Sequence, residues 1–160
     1  MATFFIILGC SAQMQGTATL YGYKQGIAPG VQQNVAEEGT GKQVTSSSRG
    51  SYNYHIYISS PDIVYPAELW LNGERFSVRT RSISAPVTVT ADDDQKVVTL
   101  VPATSEKVLQ LTPAPPVDKE LAFLKHVTKE NELVVLYKMK GKLYYQRLKT
   151  FKKLPSVVLQ

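Results

Sequence analysis

Residues 67–78 read AELWLNGERFSV, and this stretch decides the fold class. Asn72-Gly73 stands between two alternating runs. Both central residues of a type I′ turn need positive φ, which Asn and Gly tolerate best, so the pair marks a two-residue β-hairpin. So short a loop also fixes the register: Leu69 faces Phe76, and Trp70 faces Arg75. The first pair belongs to a core face. The second lies on the other face, where the guanidinium can stack on the indole.

Working outward, residues 52–59 (YNYHIYIS) alternate strictly. Tyr52, Tyr54, Ile56 and Ile58 share one face; Asn53, His55, Tyr57 and Ser59 share the other, and Pro61 ends the run. Residues 17–23 (TATLYGY) read as a further strand. Residues 87–90 and 96–102 flank ADDDQ (91–95) and form a second hairpin. Residues 108–112 add another strand, and Pro113, Pro115 and Pro116 then predict a stiff connection. Val117, Leu121 and Leu124 fit a helical stripe, which predicts one short helix near 117–128. Residues 132–140 and 142–151 form a long hairpin around Lys140-Gly141, with Tyr137 facing Tyr144 and Leu133 facing Leu148. Between the first two strands, residues 25–50 are rich in Gly and Ser and poor in large apolar groups, the signature of a long mobile loop.

The fold class that follows is mainly β, an antiparallel β-sandwich or barrel-like arrangement with at most one short helix. Length agrees. The chain has 160 residues, of which 43% are hydrophobic and 19% charged, which excludes a wholly disordered chain. Residues 13–160 are expected to form a single β-rich domain, large enough to build its core without a metal or disulfide staple. No apolar run reaches the roughly 18 residues of a membrane-spanning helix.

The chemistry of catalysis is sparse. The only histidines are His55 and His126, and no G-x-S-x-G element accompanies them. His55 sits mid-strand among tyrosines, where a structural imidazole is the commoner role. Residues 39–42 (GTGK) glance at a phosphate loop, but Ala36 and Gln43 stand where that loop needs Gly and Ser or Thr. Asp92, Asp93 and Asp94 lack the alternate spacing of a calcium loop and read as a solvated turn. No catalytic residue, metal site or cofactor is therefore expected. Nine tyrosines and Trp70 suit sheet packing and interfaces.

One cysteine excludes an internal disulfide framework. It is Cys10, and it follows Phe4-Phe5-Ile6-Ile7-Leu8-Gly9 and precedes a polar stretch. Ile7-Leu8-Gly9-Cys10 resembles the lipobox of bacterial lipoproteins. That resemblance implies that the Cys10 thiol receives diacylglycerol and becomes the mature N-terminus. Two other arrangements fit the same residues. Cys10-Ser11-Ala12 has the small residues of ordinary signal cleavage after Ala12, and a short N-terminal strand would bury Cys10 as a small hydrophobe. Residues 1–12 are thus read as an export or lipoprotein signal.

Charge adds one more feature. The formal net charge is +5, but residues 125–160 hold nine cations and only two anions. Lys138, Lys140, Lys142, Arg147 and Lys149 crowd the 132–151 hairpin as candidate anion contacts. Lysines on a hairpin also deter edge-to-edge aggregation without binding anything. The expectation is an exported protein, periplasmic, outer-membrane-attached or secreted, that acts in binding or assembly rather than catalysis. Its partners would be a membrane through the lipid anchor and a protein or glycan that the sequence does not name, and nucleic acid is not expected. The alternative is an intracellular module that binds a polyanion such as nucleic acid through the basic hairpin.

Overall fold

The computed structural model describes residues 16–27, 52–90, 96–115 and 125–157. Ten strands and one short helix follow in chain order: β1 (Thr19–Ile27), β2 (Tyr52–Ser60), β3 (Val64–Leu71), β4 (Glu74–Ile83), β5 (Val87–Thr90), β6 (Val97–Val101), β7 (Lys107–Ala114), α1 (Lys125–Glu130), β8 (Leu133–Met139), β9 (Lys142–Leu148) and β10 (Lys152–Val157). Eight of the strands form one sheet in the order β10-β1-β2-β7-β4-β3-β8-β9, while β5 and β6 pair in a small second sheet. The fold is thus mainly β and barrel-like.

Two tight turns set much of the register. Asn72 and Gly73 have φ of 50° and 82°, as a type I′ turn requires, and Leu69 opposes Phe76 while Trp70 opposes Arg75. The Lys140-Gly141 turn repeats this geometry at φ of 51° and 75°. Tyr137 accordingly opposes Tyr144, and Leu133 opposes Leu148. The second small hairpin also forms, with Thr90 opposite Val97; its connecting residues 91–95 lie outside the described residues.

The large sheet curls until its last strand meets its first. The Gly16 N–H donates to the Tyr145 carbonyl, and the Gln146 side-chain amide donates to the Gly16 carbonyl. Farther along, a Cβ built on Gly22 would lie 2.6 Å from a Leu148 methyl and 2.9 Å from the Phe151 ring. A side chain at this position would have to displace the Leu148 methyl and the Phe151 ring. β9 therefore lies against the N-terminal part of β1, and β10 pairs with its C-terminal part, Tyr23 opposite Lys152. The sheet is thus curled into a half-barrel, with one backbone bond from Gly16 to β9 and no ladder between β9 and β1.

The enclosed core contains Leu20, Ile56, Ile58, Leu69, Leu111, Leu133, Val135, Tyr137 and Phe151, all buried. The opposite face of the sheet is covered in two places. Over β1, β2, β7 and β10, the small sheet lays Leu100 and Val101 on Tyr23, Tyr57, Val108 and Leu154. Over β3 and β8, Val127 of α1 packs with Trp70, Val134 and Leu136. This explains why β8 reads as an unbroken apolar run from Leu133 to Tyr137 rather than an alternating one: both faces are buried there.

The mostly antiparallel, barrel-like expectation holds, with one parallel pairing, β10 to β1. Three other expectations change. The 25–50 loop starts later, since Gln25 and Gly26 still pair with Asn53 and Tyr52 and β1 runs to Ile27; residues 28–51 lie outside the described residues. Pro113 is not a connector but a strand residue opposite Val78. The β2 ladder ends at Leu111, so the N–H that Pro113 lacks is not required on that side. The helix lies at Lys125–Glu130, overlapping only the end of the 117–128 stripe, and residues 116–124 are outside the described residues.

Candidate functional site

The five basic residues singled out by sequence fall into two groups. Lys138, Lys140 and Lys142 cluster around the β8–β9 turn and are exposed. Arg147 and Lys149 lie at the other end of the hairpin. From Lys142 to Arg147 is five residues, or about 17 Å at about 3.4 Å per strand residue. The two also point to opposite faces. Arg147 opposes Val134 on the α1-covered side, whereas Lys142 opposes Met139, a residue of the enclosed core. Lys138, opposite Leu143, shares the face of Arg147, so the turn and far-end cations are separated by distance along the strands rather than by face.

At the turn end, the lysines have neighbours that the sequence did not mark as functional. Tyr65 opposes Lys138 directly, and Val64 opposes Met139. Tyr65 is 65% exposed and Ile63, one residue before β3, is 53% exposed. These are among the largest exposed apolar side chains of the described residues. Lys140 Nζ lies 2.9 Å from Asp62 in the β2–β3 turn. That pair is largely solvated, and such pairs contribute little. Alternation counted back from Asn72-Gly73 would place Tyr65, but the register shifts between Pro66 and Glu68, and the extra residue defeats the count.

At the far end the charges are spent on structure. The Phe151 N–H donates to Glu132 Oε2 at 2.6 Å, and Lys24 Nζ donates to Oε1 at 2.9 Å. Burial opposes the charge on Glu132, but the Phe151 N–H, Lys24 and Lys153 together hold its carboxyl below the ordinary value. Arg147 and Lys149 border an open groove with Glu130 and Asn131, so the far-end cations face an acid and an amide.

Other titratable groups inside the described fold sit in structural settings. Glu68 accepts from Arg75 at 2.8 Å, with both side chains largely buried, so the arginine opposite Trp70 is committed to a carboxylate. Trp70 itself is buried beneath α1. The Tyr137 hydroxyl lies against Gly16, Ala18 and Gln146, and burial pushes it up. His55 is half-buried with Nε2 3.4 Å from Gln25 Oε1, and burial pushes it down. His126 is exposed, 3.6 Å from Glu130. No grouping of His, Cys, Asp and Glu among the described residues has the geometry of a metal site. Cys10, the GTGK segment at 39–42 and Asp92, Asp93 and Asp94 lie outside the described residues.

Comparison with protein-family models, with curated proteins and with solved structures found no match.

Proposed function

We propose that this chain is an exported, envelope-attached protein that acts by binding or assembly rather than by catalysis. The observation that carries the reading is the turn end of the barrel. There Ile63 and Tyr65 stand exposed beside Lys138, Lys140 and Lys142, whereas the buried ionic groups elsewhere hold strands together. Exposed aromatic and aliphatic groups ringed by lysines suit a contact surface. Attachment rests on Ile7-Leu8-Gly9-Cys10 and its resemblance to a lipobox. The intracellular polyanion reading ranks second because Arg147 and Lys149 stand apart from the three turn lysines, which leaves fewer cations for any one polyanion.

Intact-mass analysis of the protein purified from its own host tests this reading. The expected result is a mature chain that starts at Cys10 with a diacylglycerol adduct, or at Gln13 after ordinary cleavage. A full-length chain starting at Met1 or Ala2, unmodified, overturns it.

A further inference from the structure

The direction in which the chain comes into the barrel bears on what the turn end touches. Gly16 is bonded to Tyr145, three residues into β9 from Lys142. As the chain proceeds from Gly16 into β1 at Gly22, its contacts move along β9 and beyond it, from Tyr145 to Leu148 and Phe151. β1 thus runs in the same direction as β9, and β9 starts at the Lys140-Gly141 turn. Gly16 therefore lies toward the end of the barrel that holds this turn. The start of β3 is at the same end, since Tyr65 opposes Lys138.

Five residues separate Cys10 from Gly16, a span of at most about 20 Å when extended. An acyl chain on Cys10 would therefore tether the molecule by the end that carries Ile63, Tyr65, Lys138, Lys140 and Lys142. We propose that this end docks on the anionic headgroups of a phospholipid bilayer. The inference rests on the exported, lipid-anchored reading for its orientation, and on the described residues for its chemistry. Three exposed lysines offset by Asp62 give the tip a net positive charge. Tyr65 adds a ring with a polar tip, a side chain suited to the headgroup level. Ile63 adds an aliphatic group that can reach the acyl boundary. A bilayer also suits the layout better than a linear polyanion does, because a flat charged surface engages a tip without needing a groove.

The test separates the tip from the anchor. The full chain carrying Cys10→Ser, which cannot be acylated, is mixed with phosphatidylglycerol-containing vesicles and, separately, with phosphatidylcholine vesicles at about 50 mM salt. The apolar residues 4–8 are present in both measurements, so the ratio of the two affinities reads the charged tip. At about fivefold per net charge, three lysines less the Asp62 carboxylate give a ratio on the order of 25. Replacing them together (K138Q/K140Q/K142Q) should bring the ratio close to unity, and Y65S should weaken binding severalfold. Raising the salt toward 150 mM should shrink the ratio for the unsubstituted tip, a check that needs no further variant. A ratio near unity for the unsubstituted tip overturns the proposal. So does heparin or duplex DNA that captures the chain at a salt where anionic vesicles do not. The mass of the native protein decides the anchor independently, so failure of one does not imply failure of the other.

Discussion

The two ends of the β8–β9 hairpin carry similar side chains to different purposes. At the far end, Glu132 receives the Phe151 N–H and Lys24, joining β1, the start of β8 and the segment that leads into β10. At the turn end, Lys140 and Asp62 meet at 2.9 Å, but the lysine side chain is 71% exposed. A charge shielded from water and bonded to a backbone amide holds a structure together, whereas a charge in water is free to find a partner. Lysine content alone does not distinguish the two; the neighbours do.

Variants at the two ends should differ by about 3–4 kcal/mol in stability. The largest effect is expected at Phe151, which is buried and lies 5.0 Å from the Tyr54 ring across the enclosed core. Phe151→Ala should cost about 3–5 kcal/mol, the usual range for truncating a buried aromatic. A urea midpoint close to that of the parent would show that the β1 seam contributes little.

Glu132→Gln should cost less, about 1–3 kcal/mol, because it weakens charge-assisted bonds to Phe151 and Lys24 without opening a cavity. It should also change the pH dependence. The folded carboxyl lies below its ordinary value of 4.5, so the stabilisation it gives is present above that value and is lost as pH falls through the folded one. His55 acts in the same direction from its ordinary 6.5 downward, since burial favours its neutral ring. Unfolding followed between pH 7 and 3 should show stability falling with acid, with a shallower acid limb in the Glu132→Gln variant. Equal limbs in variant and parent would remove Glu132 from the seam. The smallest effect belongs to Lys140→Gln at the turn end, within about 0.5 kcal/mol. A larger loss would make Asp62–Lys140 a structural pair and erase the contrast.

Local chemistry was legible in the sequence, and distant pairing was not. Asn72-Gly73 and Lys140-Gly141 announce their turns because positive φ at two adjacent residues narrows the choice of side chain, and a two-residue loop leaves no freedom of register. From those turns, Leu69 opposite Phe76 and Tyr137 opposite Tyr144 follow by counting. Nothing local says that β10 pairs with β1, or that Glu132 meets Lys24 across most of the chain. Alternation also predicts faces but not what covers them. Trp70 and Tyr57 lie on the outward face of the curled sheet, and both are buried because α1 and the β5–β6 hairpin cover them. The turn-end cluster was half visible: its lysines were in view, while Tyr65 was hidden by the irregularity at Pro66.

The parallel pairing of β1 with β10 also sets an order of events in time. Tyr23 is paired with Lys152, so β1 cannot acquire its last neighbour until nearly the entire chain has been delivered. Hairpins such as β3–β4 and β8–β9 can zip on the microsecond scale as soon as their own residues are free. The seam must close a loop of more than a hundred residues, an entropic cost met before its contacts form, and topologies with such distant pairings fold slowly. Until then β1 can pair with β2 along one edge while its other edge stays open.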